Sequence, residues 1–552
     1  METELKLLLA PADLARLRRD PRVKALRQGR AVTRRVHSVY YDTPELALLH
    51  KGFALRLRAD GARWLQTLKG EGRSSAGLHV REEWEWPLAR EALDFGLLAT
   101  SPQGKLFRAR EFRASLRPMF STDFTRTSLR LAFADGSRAE LCIDTGQIRS
   151  GRRSVPISEA EVELIEGSAV RLFEFALELG QHLPLRLGQA SKAERGYALV
   201  GGEPARPVKA AALELDAQAS VADAFASIVH GCIAHLQANE SGLLAERDPE
   251  YLHQVRVALR RLRACLSLFG AVLPEPVFAP IVARLREQGA ALGAARNWDV
   301  FVHEALRALR AQCAEEAELG AFERRCIRLG RARVRAARAL VASAEWQRLW
   351  LELGRLLADG AWREERIELA QPLGDFAAAL LQRRAVILKK RGKRLRELDA
   401  EGRHRLRIAA KKLRYAADFF VALFPKRHLR PYAQALADLQ DVLGALNDAA
   451  TMLSLLPEAF KRAPEPRIDG LIRGWSAAST HLQLVALRRA WRRWQEQKPY
   501  WKAPHAKSRK EREGMMAIGA ESGEAGEPGS ELQSPSAGSP RIETSTKGGS
   551  HV

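Results

Sequence analysis

Two carboxylates one residue apart open the chain, in Glu2-Thr3-Glu4-Leu5-Lys6. In an extended segment side chains alternate between faces, so Glu2, Glu4 and Lys6 share one face while Leu5 and Leu7 take the other. Adjacent carboxylates repel unless a cation lies between them. A hard divalent ion such as Mg²⁺ fills that role, taking oxygen ligands and leaving positions open to phosphate. By itself the stretch reads as a solvated acidic edge strand. The same grammar recurs downstream with both signs: Arg56 and Arg58; Arg81, Glu83 and Glu85; Arg126, Ser128 and Arg130; Arg138, Glu140 and Asp144; Glu159, Glu161 and Glu163. Carboxylates can hold a divalent cation, while guanidinium and ammonium groups hold a polyanion bridged to it.

The elements that must position these residues are mostly strands. Residues 11–19 read as a short helix with Pro11 in its first turn. A strand follows at 36–41, ended by Asp42-Thr43-Pro44, then one helical turn at 45–50. Strands are expected at 53–58, 64–69, 80–86, 121–133, 138–144 and 157–164, with a Gly/Ser loop at 70–77. Ser168 begins an amphipathic helix that Gly180 stops. Residues 191–197, Ser-Lys-Ala-Glu-Arg-Gly-Tyr, close this half. Each strand has an apolar face and a charged face. If the sheet closes into a barrel, the charged faces point inward, where charges must be paired or coordinate metal.

The second half is helical in period, and it repeats. Asp248-Pro249 is a cap followed by a first-turn proline, and the helix it opens, 251–269, recurs without a gap as 402–420. His253 aligns with His404, Arg256 with Arg407, Arg260 with Lys411, Arg261 with Lys412, and Arg263 with Arg414. Further on, residues 292–294 align with 443–445, and Asn297 with Asp448. Two copies of one long unit imply an internal pseudo-two-fold. At ~100° per residue, His253, Arg256, Arg260 and Arg263 span an arc of about 80°. Solvated helix faces usually mix signs; like charges stacked on one face are costly without an anion, so a binding face is expected. The basic run Arg383, Arg384, Lys389, Lys390, Arg391, Lys393, Arg394 and Arg396 adds to it. The stretch Arg296-Asn297-Trp298-Asp299-Val300 reads as helix packing rather than chemistry.

A chain of 552 residues exceeds one ordinary core, so at least two domains are expected. Lys and Arg outnumber Asp and Glu, 89 to 66, and the net charge of +23 points to a polyanionic partner: nucleic acid, anionic membrane or polyphosphate. Five scattered cysteines, none in a CxxC pair, fit a reducing compartment and offer no thiolate metal site. The sequence starts directly in the acidic motif without a signal peptide, and no apolar run approaches the ~20 residues that span a bilayer. A soluble cytoplasmic protein is expected, with a disordered Ser/Gly/Glu/Pro-rich tail beyond about residue 501.

The first two hundred residues resemble the CYTH domains, or triphosphate tunnel metalloenzymes. The resemblance rests on Glu2-x-Glu4-x-Lys6, Arg56-x-Arg58, Lys69, Glu83-x-Glu85, Arg126, Asp144, Glu159/Glu161/Glu163 and Lys192, in the family's order. It implies an eight-stranded antiparallel tunnel, α+β with flanking helices, that binds a triphosphate with Mg²⁺ or Mn²⁺. It implies metal ligands among Glu2, Glu4, Glu83, Glu85, Asp144, Glu159, Glu161 and Glu163. The family's late acidic pair corresponds either to Glu159/Glu161 or to Glu161/Glu163. Arg56, Arg58, Lys69, Arg81, Arg126 and Lys192 would clamp phosphates; Lys6, Glu4 and Glu161 would serve the chemistry, Lys6 by orienting the attack or by balancing the acids. The helical half resembles the CHAD domain. That resemblance implies an all-α module binding inorganic polyphosphate through His253, Arg256, Arg260, Arg261, Arg263, His404, Arg407, Lys411, Lys412 and Arg414. Asn297 departs from the Asp usual in that family.

The expected organisation is a tunnel domain at 1–202, a linker at 203–212, a helical domain at 213–500 and a tail at 501–552. Every tunnel motif precedes the linker, so a fragment ending near Gly202 is expected to be self-sufficient. The expected function is metal-dependent hydrolysis of inorganic tripolyphosphate. The competing readings are a non-catalytic polyphosphate binder at polyphosphate granules, or a CYTH enzyme for thiamine triphosphate, a nucleotide or adenylate cyclisation. Nucleic-acid binding has less support, because the basic helices lack interleaved aromatics for base stacking.

Overall fold

The computed structural model describes residues 2–502 apart from 62, 203–205, 246–247, 314–315 and 461–463. The expected tail beyond residue 502 and the first three residues of the expected linker, 203–205, lie outside the described residues. Strands β1 (Glu2–Leu8), β2 (Arg27–Asp42), β3 (Ala54–Asp60), β4 (Arg63–Ser75), β5 (Leu78–Leu88), β6 (Arg117–Ala132), β7 (Arg138–Ser150) and β8 (Arg153–Glu166) form one antiparallel sheet. Its order is β5-β4-β3-β2-β6-β7-β8-β1, and pairing of β1 with β5 closes it into a barrel. The two-residue β9 (Arg186–Leu187) adds to β1. Closure turns the charged faces inward, as the alternation requires. Leu5, Leu7, Leu141 and Val162 point the other way, into a buried apolar layer.

Several elements differ from expectation. The Gly/Ser stretch at 70–77 is not a loop. β4 runs through it with a register shift between Lys69 and Gly72, and the turn comes only at Ala76 and Gly77, with φ of 54° and 79°. A bulge absorbs the irregular residues, so the pairing resumes with Gly72 opposite Arg81. β2 begins at Arg27, well before residue 36, because pairing with β6 supports a half whose side chains are exposed and show no apolar alternation. Short helices at Pro21–Leu26, Phe95–Leu98, Gly104–Arg108 and Arg110–Ser115 were not anticipated. Pieces of one turn or so carry too little periodicity to read.

The helical half follows the capping signals. Asp248 accepts from Glu250 N at 2.8 Å and starts helix Pro249–Phe269; Asp399 accepts from Gly402 N at 2.6 Å at the head of helix Ala400–Phe419. The two repeat helices meet where the Phe269 and Phe420 rings lie 6.2 Å apart. The stretch around Asn297 is packing: Trp298 is buried in a second apolar cluster with Phe301, Phe322, Phe460 and Ile472.

The two halves share a core. One buried apolar cluster runs from Leu5, Ala76 and Phe173 of the barrel region to Trp346, Trp350 and Leu353 of the helices. At Gly354 a Cβ would lie 2.5 Å from the Phe173 ring and 2.9 Å from Ala76 Cβ, so helix Ala344–Asp359 sits directly on the barrel. Asn239 pins the expected linker at its middle, accepting from Val208 N and donating to Val208 O, both at 2.9 Å. A fragment ending at Gly202 would expose Phe173, Ala76 and Leu187, at about 1.5–3 kcal/mol for each large side chain uncovered. That fragment is expected to unfold in less denaturant than the full chain and to self-associate. Equal stability in a urea titration, with a monomeric elution profile, would contradict the shared core.

Candidate functional site

The barrel encloses a cavity of about 730 Å³. Glu2, Glu4, Lys6, Arg56, Arg58, Lys69, Arg81, Glu83, Glu85, Arg126, Glu161, Glu163 and Lys192 all line it. Asp144 and Glu159 lie fully buried behind the wall. Register explains the gathering: Glu4 stands opposite Glu163, Lys6 opposite Glu161, Arg126 opposite Asp144, and Asp144 opposite Glu159.

Two charged groups result. At the first, Asp144, Glu159 and Glu161 each place an oxygen within 4.8 Å of the others. Lys192 Nζ reaches all three, at 2.7, 2.5 and 2.9 Å. Lys6 Nζ is paired with Glu161 and lies 3.6 Å from Glu159 and 3.7 Å from Glu4. Arg126 bonds both Asp144 and Glu161, and Arg195 bonds Glu159 at 2.8 Å. Burial opposes charge on Lys6, yet Glu161, Glu4 and Glu159 hold its pKa above the usual value. Burial likewise opposes charge on Glu161, and Lys192, Lys6 and Arg126 overcome it, holding the carboxyl well below the usual range. Lys6 and Glu161 thus each hold the other in its charged form.

At the second group, Lys69 bridges Glu2 and Glu83 at 2.8 and 2.9 Å, and Arg81 bridges Glu2 and Glu4 at 3.0 and 2.5 Å. Arg56 lies 3.2 Å from Glu83 and 4.0 Å from Glu85. Glu163 and Arg58 are among the lining residues without an ion-pair partner among the described residues. Burial and the neighbouring Glu2 and Glu4 push the Glu163 carboxyl up to about 7. Burial, Arg56 and Arg126 push the Arg58 guanidinium down to about 10. In one acid and one base of the cavity the charged form is thus disfavoured by burial and by like charges.

The donor set fits a hard cation. The clustered ligand atoms are carboxylate oxygens, suited to Mg²⁺ or Mn²⁺. Burial pushes the thiol of the neighbouring Cys142 up to about 12, so it stays protonated and offers no thiolate. The alternative late acidic pairs divide by place: Glu159 belongs to the first group, Glu163 to the second, and Glu161 stands between them.

Some lining residues escaped the sequence reading. Tyr40 stacks on Phe120 with centroids 4.5 Å apart. Burial would raise its phenol, but Arg56 and Arg58 hold it below the usual value. Arg34 and Val36 share its inward parity on β2, a signal lost because the first half of that strand read as irregular. Arg130, read from the sequence on one face with Arg126 and Ser128, lines the cavity as well. Arg195 carried no strand signal; it reaches Glu159 from a helix, Lys192–Gly201, fixed by a Ser191/Glu194 capping box.

On the helical domain the repeat faces come together in part. Burial, Arg407, Arg260 and, more weakly, Arg256 push the Lys411 ammonium down to about 7. Burial, Arg260 and Arg296 push Arg256 down to about 10. These four cations therefore converge, relieved by Asp448 near Arg407 and Lys411 and by Tyr415 near Arg407. Arg256 also donates to Leu292 O at 2.8 Å. The other predicted residues spread outward. Arg261 lies over the Phe419 ring at 5.2 Å, Lys412 faces Arg384 and Arg391, Arg414 bonds Gln440 at 2.8 Å, and Arg263 is exposed near Arg286. His404 Nδ1 lies 3.3 Å from Asn447 Oδ1; His253 is half-buried beside Arg296.

A closed antiparallel barrel with a charged lumen, joined to a repeated helical domain with a basic convergence, defines a two-domain class. Residues 1–197 match the CYTH domain family and residues 227–457 the CHAD domain family. The chain carries a CYTH domain followed by a CHAD domain. Among curated proteins it is similar to the inorganic triphosphatase of Haemophilus influenzae, 36% identical over 164 residues, 29% of this chain and 45% of that protein. The chain thus matches about half the length of that relative. Among solved structures it is similar to the CHAD domain from the plant Ricinus communis, with 33% identity, 53% of this chain and 98% of that one covered, and a TM-score of 0.48. It is also similar to PptA from Streptomyces chartreusis, with 15% identity, 50% and 100% covered, and a TM-score of 0.40. Among the described residues, no helix is long and apolar enough to cross a membrane.

Proposed function

We propose that this protein is a metal-dependent triphosphatase that hydrolyses inorganic tripolyphosphate inside the barrel and binds inorganic polyphosphate on its helical domain. The boundaries that go with this reading are 1–202 for the tunnel domain, 203–212 for the linker and 213–500 for the helical domain. One observation carries it: the barrel cavity holds a half-buried carboxylate, Glu163, and a half-buried guanidinium, Arg58, neither with an ion-pair partner among the described residues, beside the two groups of paired charges. A divalent cation bridged to a short phosphate chain relieves both at once.

In this reading Glu2, Glu4 and Glu163, with Asp144, Glu159 and Glu161 beside them and Glu83 and Glu85 further along the wall, are the residues to hold Mg²⁺ or Mn²⁺. When bound, the ion supplies charge neutralisation on the phosphate oxygens. The chain's own groups do the rest. Arg56, Arg58, Lys69, Arg81, Arg126 and Lys192 exchange carboxylate partners for phosphate oxygens and hold the chain extended. Transfer to water then breaks one P–O–P bridge, giving phosphate and pyrophosphate, with positioning and charge stabilisation as the main contributions. Lys6 and Glu161, joined as a pair, and Glu4 beside them keep charge balanced at the reacting end.

The test is phosphate release from tripolyphosphate, ATP, thiamine triphosphate and long polyphosphate, with Mg²⁺ and with EDTA. Release from tripolyphosphate that stops in EDTA supports the reading, and release undiminished by EDTA rejects the metal. Preference for ATP or thiamine triphosphate would assign the same tunnel another substrate.

The Glu163 carboxyl gives a signed pH dependence. It carries a proton below pH about 7 and is charged above it. A metal must displace that proton, so affinity should rise with pH. Between pH 6 and pH 8 the charged fraction grows about tenfold, and Mn²⁺ should bind about tenfold tighter. Glu163→Gln should flatten the profile, as measured by Mn²⁺ titration with electron paramagnetic resonance.

A further inference from the structure

The backbone of Lys6 is held on both sides by segments that the helical domain holds in turn. Its N–H donates to Gly77 O at 2.9 Å, and its C=O accepts from Gly188 N at 2.8 Å. One residue before each of those glycines, a buried backbone N–H runs into the helical domain. Ala76 N–H donates to Gln237 Oε1 at 3.0 Å, and Leu187 N–H donates to Gln347 Oε1 at 3.1 Å. Gln237 and Gln347 are each 2% exposed. Gln347 Nε2 also donates to Glu240 Oε1 at 2.7 Å, which links the two helices that carry the glutamines.

The joint leaves no slack. A Cβ on Gly188 would lie 2.6 Å from Lys6 Cγ, and one on Gly77 would lie 2.8 Å from Leu187 Cδ2. His79 Nε2 lies 3.0 Å from Gly188 O, which ties the far side of that segment to β5. Ala76 sits at φ 54°, a left-handed conformation that costs an alanine about 1–2 kcal/mol. Such a conformation persists only when its surroundings fix it. The bond to Gln237 is one thing that fixes it. An interface serving cohesion alone would be apolar throughout, as it is where Gly354 meets Phe173. Here two buried amides are aimed at the two segments flanking one lysine.

We infer that Gln237 and Gln347 are positioning residues, through which the helical domain sets the place of Lys6 in the tunnel. The kinetic consequence rests on the triphosphatase reading above; the structural one does not. The full chain carrying Gln237→Leu or Gln347→Leu is compared with wild type by amide hydrogen exchange and by kinetics on tripolyphosphate with Mg²⁺. The amides of Lys6 and Gly188 should exchange at least tenfold faster, with β7 and β8 unchanged. The kcat should fall at least tenfold while KM stays within about twofold. Gln237→Glu keeps the accepting oxygen and should behave as wild type. Gln237→Asn, too short to reach Ala76, gives a polar variant should leucine impair folding. Adding Ala76→Gly to Gln237→Leu removes the conformational cost at the turn and should restore part of kcat.

Unchanged exchange at Lys6 and Gly188 overturns the inference whatever the activity. Exchange that rises uniformly over the barrel, with a lower melting temperature, shows a merely structural role and overturns it too. Local loosening without loss of kcat shows that the position of Lys6 does not matter to turnover, with the same result. A wild-type chain inactive on tripolyphosphate would sink the function reading, while the exchange result would still decide whether the glutamines hold Lys6.

Discussion

Glu161→Gln is expected to lower triphosphate turnover by at least a hundredfold, about 2.7 kcal/mol of barrier. Glu161 is the residue on which the tunnel's charges meet. It pairs with Lys6, accepts from Lys192 at 2.9 Å and from Arg126 at 2.5 Å, and shares a 4.8 Å cluster with Asp144 and Glu159. The amide keeps the shape and removes the charge. Lys6, Lys192 and Arg126 then crowd with one fewer acid, and any cation loses a ligand from the middle of the acidic groups. Two readouts separate chemistry from folding. Turnover should collapse, while the melting temperature shifts only by the cost of one disrupted buried pair. A variant that retains more than a tenth of wild-type turnover removes Glu161 from the reacting end. Glu4→Gln should follow the same direction with a smaller loss, at least tenfold, because Arg81 alone approaches Glu4 closely.

The second large effect belongs to the helical domain. Replacing Arg260 and Lys411 together by Ala takes one cation from each repeat helix and should weaken long polyphosphate about a hundredfold. In the empty protein these groups repel: burial together with Arg407 and Arg260 depresses Lys411 to about 7. The double variant should therefore be more stable than wild type without ligand and less stable than wild type with polyphosphate. That crossing cannot come from a damaged fold. The lysine supplies a further sign. Above pH 7 the empty site holds Lys411 largely neutral, and an anion restores the charge, so binding at pH 8 should take up a proton. Calorimetry in two buffers of different ionisation enthalpy reads this directly, and Lys411→Arg should bind without the uptake. Binding should also weaken steeply with salt, since released counterions drive the capture of a linear polyanion. Single-stranded RNA of matched charge that binds as tightly would make the domain a general polyanion binder.

The sequence by itself determined the inward faces, the repeat and the charge pattern, because each is local. Period-2 alternation is a property of one strand: it put Glu2, Glu4 and Lys6 together, and Arg81, Glu83 and Glu85, before any partner strand was known. Caps and helical period are equally local, so Asp248-Pro249 and the aligned helices at 251–269 and 402–420 could be read directly. Register, closure and packing are not local, and only the tertiary structure decided what depends on them. Sliding β8 by one residue would turn Glu159, Glu161 and Glu163 out of the barrel altogether. Their neighbours are set by pairing partners far along the chain, which is why the three-carboxylate cluster, the lone Glu163 and the lone Arg58 appeared only once the sheet closed. Arg195 and Tyr40 entered for the same reason, from a helix and from a strand whose first half lacks an apolar face. The shared core was hidden too: Ala76 reads as part of a loop and Phe173 as the inward face of a short helix, and only the fold sets Gly354 against both. Gln237 and Gln347, 161 and 160 residues from the amides they hold, carry no pattern at all in sequence. A buried amide is recognised by what it bonds, and only the folded chain supplies the partner.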